Sequence, residues 1–244
     1  MHLSRIYRHP IKALGVESLA EVTLTPGARL AGDRLWAVAH EAARLETEGG
    51  WAHCSNFIRG AKSAELMAIT AVTSPGGLTL SHPKRPDITL NPETDGAALI
   101  DWVRPLCDPG RAAPARLVPV ADGVTDNAMP WLSLLSHSSR QDLSAVMGRG
   151  LSPLRFRGNL WIEGAEPWAE SGWIGRRLAI GDTVLEVTEP IDRCSATNVD
   201  PETGQADSDL LKALEDHRGN IDFGVFVAVI AGGPIAPGDP VTLL

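Results

Sequence analysis

The feature that most restricts this chain is a series of short apolar–polar alternations cut apart by proline and glycine. In Ala20-Glu21-Val22-Thr23-Leu24-Thr25 every second residue is apolar, the period that turns one side of a strand toward a core. Residues 35–39, 66–72, 78–80 and 88–90 read as further short strands. They are parted by Pro26-Gly27, Pro75-Gly76-Gly77 and Pro83, residues that supply the dihedral angles of tight turns. Short strands at this spacing predict a barrel or a sandwich.

Helices are few. Thr94 is placed to cap one in which Leu99, Trp102 and Val103 form an i, i+3, i+4 stripe and Pro105 makes the stop. The stretch 108–114, rich in Pro, Gly and Ala, predicts a boundary between domains at 1–113 and 114–244. Beyond it, Ser138 and Gln141 have capping-box spacing ahead of Leu143, Val146 and Met147. Strands are predicted at 160–163, 177–180 and 184–187, the last two hinged at Gly181-Asp182. Asp207 or Ser208 caps a helix with Leu210, Leu211 and Leu214 facing inward, ending at Gly219. A near-continuous apolar strand at 223–230 and a last one at 241–244 complete an α+β fold that is mainly β.

The 244 residues suffice for a real core, since folding at this size removes roughly 70% of the extended chain's surface from water. With 22 Lys and Arg against 30 Asp and Glu the net charge is −8, and no basic block is present. Nucleic acid is therefore not an expected partner. Residues 1–14 carry Arg5, Arg8, His9 and Lys12, which no apolar signal-peptide core contains. The apolar stretch 223–236 is broken by Gly232, Gly233 and Pro234 and is too short to span a bilayer. A cytoplasmic protein without a membrane partner is expected. Cys54, Cys107 and Cys194 form no CxxC pair, so neither a zinc site nor a disulfide framework is predicted.

Among residues able to carry chemistry, Cys194 stands out. It follows a predicted strand and Pro190, and Arg193 beside it favours the thiolate. A structural cysteine is the other reading. Cys54 and Cys107 lack that context and read as inert. Lys12, Arg34, Arg155 and Arg157 sit beside Pro or Gly on apparent loops. If those loops converge on Arg193, they form an anion pocket; taken singly, each equally fits a solvated surface charge. Asp126, in a polar loop, has a carboxyl suited to proton exchange or to a simple turn, and residues 199–204 read as a turn. No phosphate-binding glycine loop, Ser-His-Asp elbow or kinase signature is present.

Read in order, several short motifs resemble the MOSC family, and most closely its amidoxime-reducing members and their bacterial relatives. They are Pro10-Ile11-Lys12, Gly32-Asp33-Arg34-Leu35-Trp36, Phe156-Arg157-Gly158-Asn159, and Arg193-Cys194 followed by residues 197–204. Phe223-Gly224 and Gly238-Asp239-Pro240-Val241 complete the set. The resemblance implies an N-terminal β-barrel-like domain before a MOSC β-barrel with a few flanking helices. It also implies a molybdenum cofactor, a pterin dithiolene carrying a phosphate, bound between them. Cys194 matches the cysteine that ligates molybdenum, and a soft thiolate suits such a centre. Lys12 and Arg34 match phosphate contacts. Arg157, Asn159 and Arg193 match residues that hold the pterin and the metal-side loop, and Asp126 falls near the substrate-side loop.

The implied activity is two-electron reduction of an N-hydroxylated small molecule to its amine or amidine. Two positions depart from the family's pattern. Ala13 stands where relatives place a serine, and Asp192 where the animal reductases have a small polar residue. Asp192, on the cofactor side, is placed to pair with Arg193, to tune the metal or to narrow the pocket. No cysteine cluster for an iron–sulfur domain occurs, so a separate electron-donor protein is expected. No pyridoxal-dependent domain is present either, so complete sulfurase activity is not expected. The competing reading is a carrier of the cofactor, or of a persulfide on Cys194, without reductase activity; a barrel that has lost its metal is the third.

Overall fold

The computed structural model describes residues 1–46 and 49–244. Eight strands pair in one sheet, in the order Val241–Leu243, Arg177–Ile180, Thr183–Asp192, Asp222–Ala231, Leu132–Ser136, Leu160–Glu163, His2–Arg8, Glu17–Leu19. Most neighbours are antiparallel. Leu132–Ser136 and Leu160–Glu163 run parallel, a pairing that needs a crossover, and helix His137–Val146 provides it. One face of the sheet closes over Leu3, Ile6, Leu134, Leu160, Leu185 and Val227, all essentially without solvent contact.

The sheet curls without its strand ladder closing into a barrel. The outer strands are Val241–Leu243 and Glu17–Leu19. Main-chain bonds from Leu3 N to Asp239 O (2.9 Å), Gly238 N to Leu3 O (2.7 Å) and Val241 N to Met1 O (2.9 Å) nevertheless draw the chain's two ends together. The mainly β, α+β fold expected from the sequence is present, the larger lobe being a strongly curled sheet. The smaller lobe holds a three-stranded meander, Thr70–Ser74, Gly77–His82 and Arg85–Leu90. A second pair, Trp36–His40 with Pro114–Pro119, and helix Gly96–Val103 complete that lobe. Its core is Ile11, Leu14, Leu66, Leu80, Leu99 and Trp102.

Strand pairing crosses residue 113 in both directions. Strands His2–Arg8 and Glu17–Leu19 belong to the large sheet, and Val22–Leu24 pairs with Gly233–Ile235. Pro114–Pro119 pairs back onto the small lobe. Residues 9–15 therefore bridge two cores: Ile6 before them lies in one, Ile11 and Leu14 in the other.

Local departures from the sequence reading have local causes. Residues 66–72 are a 3-10 turn, Ala64–Ala68, followed by strand Thr70–Ser74. Leu66, Met67 and Ala68 are all buried in succession, which a strand with one buried face cannot achieve. The first helix is entered from Asp95, to which the Thr94 hydroxyl donates (2.9 Å). Ser136 caps the second, its Oγ accepting from Ser139 N, so Ser138 is already helical and Val146 is left half-exposed. Asp209, accepting from Lys212 N at 3.2 Å, caps the third, which ends at left-handed Gly219. Asp207 is occupied elsewhere, by Arg155 and Arg149.

Candidate functional site

Four turns meet where the lobes join: residues 9–15, 33–34, 156–158 and 193–198. Arg34 N donates to His9 O (2.6 Å), and Lys12 N to Trp36 O (2.7 Å). Arg34 Nη2 donates to Arg157 O (2.9 Å), Arg157 Nη2 to Gly15 O (3.2 Å), and Ser195 Oγ to Ala61 O (3.4 Å). Among the described residues only four other than glycine hold a left-handed backbone, and three are here: Ala13 (φ 64°), Arg34 (φ 53°) and Arg157 (φ 47°). That conformation costs an L-residue roughly 1–2 kcal/mol. Strain of this kind concentrates where function holds a side chain in a fixed place.

Charge is unevenly balanced across these turns. Lys12, buried at 6% exposure, donates its Nζ to Asp126 Oδ1 at 2.6 Å. Burial lowers the Lys12 ammonium pKa, with Asp126 opposing and Arg34 adding to the shift. Desolvation works against charge on Asp126, and Lys12, with Arg34 and Arg59 adding, more than offsets it, so the carboxyl stays below its ordinary value. Arg34 pairs with buried Asp33. Arg157 has no carboxylate within ion-pair distance among the described residues, and burial together with Arg34 lowers its pKa to about 9. Three cations thus face two carboxylates.

His9 was absent from the candidates that sequence reasoning named. Its ring is fully buried, and neither ring nitrogen has a hydrogen-bond partner; Nδ1 lies 3.5 Å from Asp33 Oδ1. Burial, then Arg34 and Arg157, lowers its pKa to about 3. Burial alone would raise Asp33, but Arg34 and the His9 ring hold it well below the usual carboxylate range. A buried imidazole with two idle nitrogens between guanidinium groups is a cost the protein alone does not recover.

Cys194 is exposed, at the head of the 3-10 turn Ser195–Asn198. Its carbonyl accepts from Thr197 N (3.1 Å) and Thr197 Oγ1 (2.9 Å), which fixes the backbone that carries the thiol. Arg193 turns the other way. Its Nε donates to Phe223 O (2.8 Å) and Nη1 to Phe156 O (3.0 Å), while the guanidinium lies 5.7 and 5.9 Å from the two stacked phenyl rings. A Cβ at Gly224 would stand 2.8 Å from Leu134 O and 3.4 Å from Arg193 Nη2, so glycine is needed there. Burial lowers the Arg193 pKa to about 10.

The remaining candidates are placed differently. Asn159 is buried inside the sheet: Oδ1 accepts from Ser133 N (3.3 Å) and Oγ (3.0 Å), and Nδ2 donates to Tyr7 O (3.2 Å). It ties three strands together. Asp192 is exposed opposite Asp222 and makes no ion pair with Arg193, whose donors serve carbonyls. Cys54 differs from its sequence reading, because Arg59 Nη1 donates to its sulfur at 3.2 Å. Cys107 matches it: burial pushes the thiol up to about 11. Neither His9 nor Asp33 carries a local signal, since burial and contacts made across 24 residues are what distinguish them.

The residues present fit an anionic cofactor with a soft metal. Surplus cations and idle ring nitrogens suit a phosphate-bearing group, and an exposed thiol on a fixed backbone suits the metal. No cluster of three or more His, Cys, Asp or Glu side chains with metal-binding geometry occurs among the described residues, so the thiol would act as a single protein ligand.

Residues 127–242 match the family model described as the MOSC domain, and residues 1–104 match the MOSC N-terminal beta barrel domain. Mitochondrial amidoxime-reducing component 1 of Mus musculus is 35% identical over 130 residues, 48% of this chain and 37% of that protein. The molybdenum cofactor sulfurase of Caenorhabditis elegans is 33% identical over 119 residues, 46% of this chain and 16% of that protein. The matched region thus spans well under half the length of these curated relatives. Among solved structures, the YuaD protein of Bacillus subtilis aligns over 98% of this chain and 92% of its own, at 12% identity and a TM-score of 0.47.

Proposed function

This chain belongs to the MOSC-domain proteins that carry a MOSC N-terminal domain, and on that premise we propose that it holds a molybdenum cofactor and reduces N-hydroxylated small molecules. The observation that carries the reading is the meeting of surplus cations on strained turns with an exposed thiol, in a chain of net charge −8. Lys12, Arg34 and Arg157 would grip the phosphate and pterin, His9 would offer a ring nitrogen, and Cys194 would ligate the metal. Once bound, the cofactor supplies two-electron redox chemistry at a metal already softened by sulfur.

The protein's own part is positioning and charge. Thr197 and Arg193 hold the turns on either side of the thiol, Thr197 through the Cys194 carbonyl and Arg193 through Phe156 and Phe223. The exposed Asp126 carboxylate, kept ionised by Lys12, is set to accept a proton rather than to give one at neutral pH. In the net reaction an N–O bond breaks, two electrons and two protons are consumed, and the oxygen leaves as water. The electrons come from a separate donor protein. Among the described residues no helix is long and apolar enough to cross a membrane.

Protein made in a cofactor-producing host should contain close to one molybdenum per chain. Cys194→Ser should reduce that by about tenfold or more, and reduced dye should drive benzamidoxime to benzamidine only in the loaded protein. Exposure of Cys194 also suits the carrier reading. Metal-free protein bearing one extra sulfur on Cys194 by mass would establish the carrier instead. Loaded protein inert toward every N-hydroxylated compound would remove the reductase and leave the cofactor.

A further inference from the structure

Away from the four turns, the first strand lines a separate cleft of about 630 Å³. Pairing of His2–Arg8 with Leu160–Glu163 shifts register between Leu3 and Arg5. A bulge of this kind breaks the strict alternation of faces, and Ser4, Arg5 and Tyr7 all reach the cleft. Helix His137–Val146 contributes His137 and Arg140 from the opposite wall. None of these residues belongs to the candidate molybdenum site.

The cleft is rich in donors and poor in acids. Arg5 donates to the neighbouring Ser4 O (3.1 Å) and faces the Tyr7 hydroxyl, and neither Arg5 nor Arg140 is within ion-pair distance of a carboxylate among the described residues. Arg140 spends Nη1 on Leu151 O (2.7 Å) and Nε on His137 Nδ1 (3.4 Å), which leaves Nη2 toward no protein acceptor. Accepting at Nδ1 makes His137 Nε2 the protonated nitrogen, a further donor, on a ring 4.8 Å from Trp161. Burial, with Arg140, Arg5 and His2 adding and Glu163 opposing, keeps that ring neutral. The Ser4 hydroxyl is shielded from solvent and has no partner. The one carboxylate in the lining, Glu163, faces His2 at 3.5 Å.

We propose that this cleft binds an organic oxyanion, a small molecule whose phosphate or carboxylate group sits between Arg5 and Arg140 while its body rests on Tyr7, Pro153 and Pro237. Two guanidinium groups without carboxylate partners match the paired oxygens of such a group. A volume several times that of a bare phosphate leaves room for a carbon skeleton against the Tyr7 ring and the two prolines. In a chain of net charge −8, two guanidinium groups in one concave surface, opposed there only by the Glu163 carboxylate that faces His2, select for negative charge.

The test is titration of the 244-residue chain with inorganic phosphate, phenyl phosphate and benzoate, read by the His137 ring resonances and by calorimetry. Saturable one-site binding is expected, with an aromatic oxyanion about tenfold tighter than inorganic phosphate because its ring covers apolar wall. Whichever of the two aromatic probes binds tighter identifies the oxyanion. Arg5→Glu, whose native side chain is exposed and pairs with no carboxylate among the described residues, should change the melting temperature little and weaken binding by about tenfold or more. Arg140→Gln should do likewise for binding. Absence of saturable binding by all three probes, or equal affinity in both variants and the parent, overturns the proposal. Molybdenum content of the same preparations is not expected to change, so this outcome stands or falls apart from the cofactor reading.

Discussion

Arg155 and Arg157 stand on either side of Phe156 and meet opposite fates. Arg155, 3% exposed, donates Nη1 and Nη2 to the two oxygens of Asp207 at 2.8 and 2.7 Å, and Arg149 shares that carboxylate. It fastens the 153–156 turn to the segment that leads into helix Leu210–Arg218. Arg157 has a left-handed backbone, one bond to a carbonyl, and Arg34 crowding it. A buried cation matched by the protein's own carboxylate serves the fold. One held against another cation, at a cost in strain and burial, is the one proposed to meet an anion from outside.

The largest expected effect tests how much burial costs on the Arg157 side. His9, neutral in the fold, has its pKa lowered to about 3 from an ordinary 6.5. Below that ordinary value the unfolded chain binds a proton that the fold refuses. The stability contributed by the neutral ring is complete above about pH 6.5 and is lost as pH falls toward 3. The slope is about 1.4 kcal/mol per pH unit, of order 5 kcal/mol in all. Asp33, also held low, loses its contribution in the same direction but further into acid. Against His9→Phe, which cannot titrate, the parent should lose ground steadily in urea melts taken at about pH 7, 5 and 4. A constant gap would mean that the ring is not kept neutral.

On the Arg155 side, Asp207→Asn leaves a buried guanidinium without its charge partner. The loss should be about 3 kcal/mol. For a chain of this size that lowers the melting temperature by roughly 6–12 °C. Molybdenum per folded chain should not change. If metal is lost while the fold persists, Arg155 is more than a fastener and the contrast fails.

Half of this contrast is legible in the chain's residue order and half is not. The pleat's period of two exposes strands such as Trp36–His40, Gly77–His82 and Arg177–Ile180, and Gly219 marks a helix end by its backbone freedom. Motif order singles out Lys12, Arg34, Arg157 and Cys194. It cannot reveal what a side chain meets. Arg155 and Arg157 look alike until Asp207 is found 52 residues on and Arg34 123 residues back. Asn159 and Arg193 are named by the same motifs, yet their side chains serve Ser133, Tyr7, Phe156 and Phe223. His9 and Asp33 depend wholly on burial where two cores abut, which no local pattern encodes.

Arg157→Gly separates the two roles most directly. Glycine accepts φ 47° without the penalty an L-residue incurs, and the change also removes a like charge facing Arg34. Cofactor-free protein should gain about 1 kcal/mol in urea. Molybdenum retained after desalting should fall by about tenfold. Stability and occupancy moving in opposite directions is the mark of a residue kept for a ligand. If both fall, Arg157 belongs with Arg155 among the fasteners.

The smallest effect concerns strain without charge. Ala13 holds φ 64° beside Lys12, is nearly buried, and has no polar atom to offer a ligand. Ala13→Gly should relieve the backbone, less what glycine's freedom adds to the unfolded chain, for a net gain of about 0.5 kcal/mol. Occupancy should stay at the parent's level, because the Lys12 ammonium and its bond to Asp126 are untouched. Relief at both 13 and 157 with occupancy lost only at 157 would assign the anion to the guanidinium. Occupancy lost at both would mean that the stiffness of the turns, more than their charge, is what the site requires.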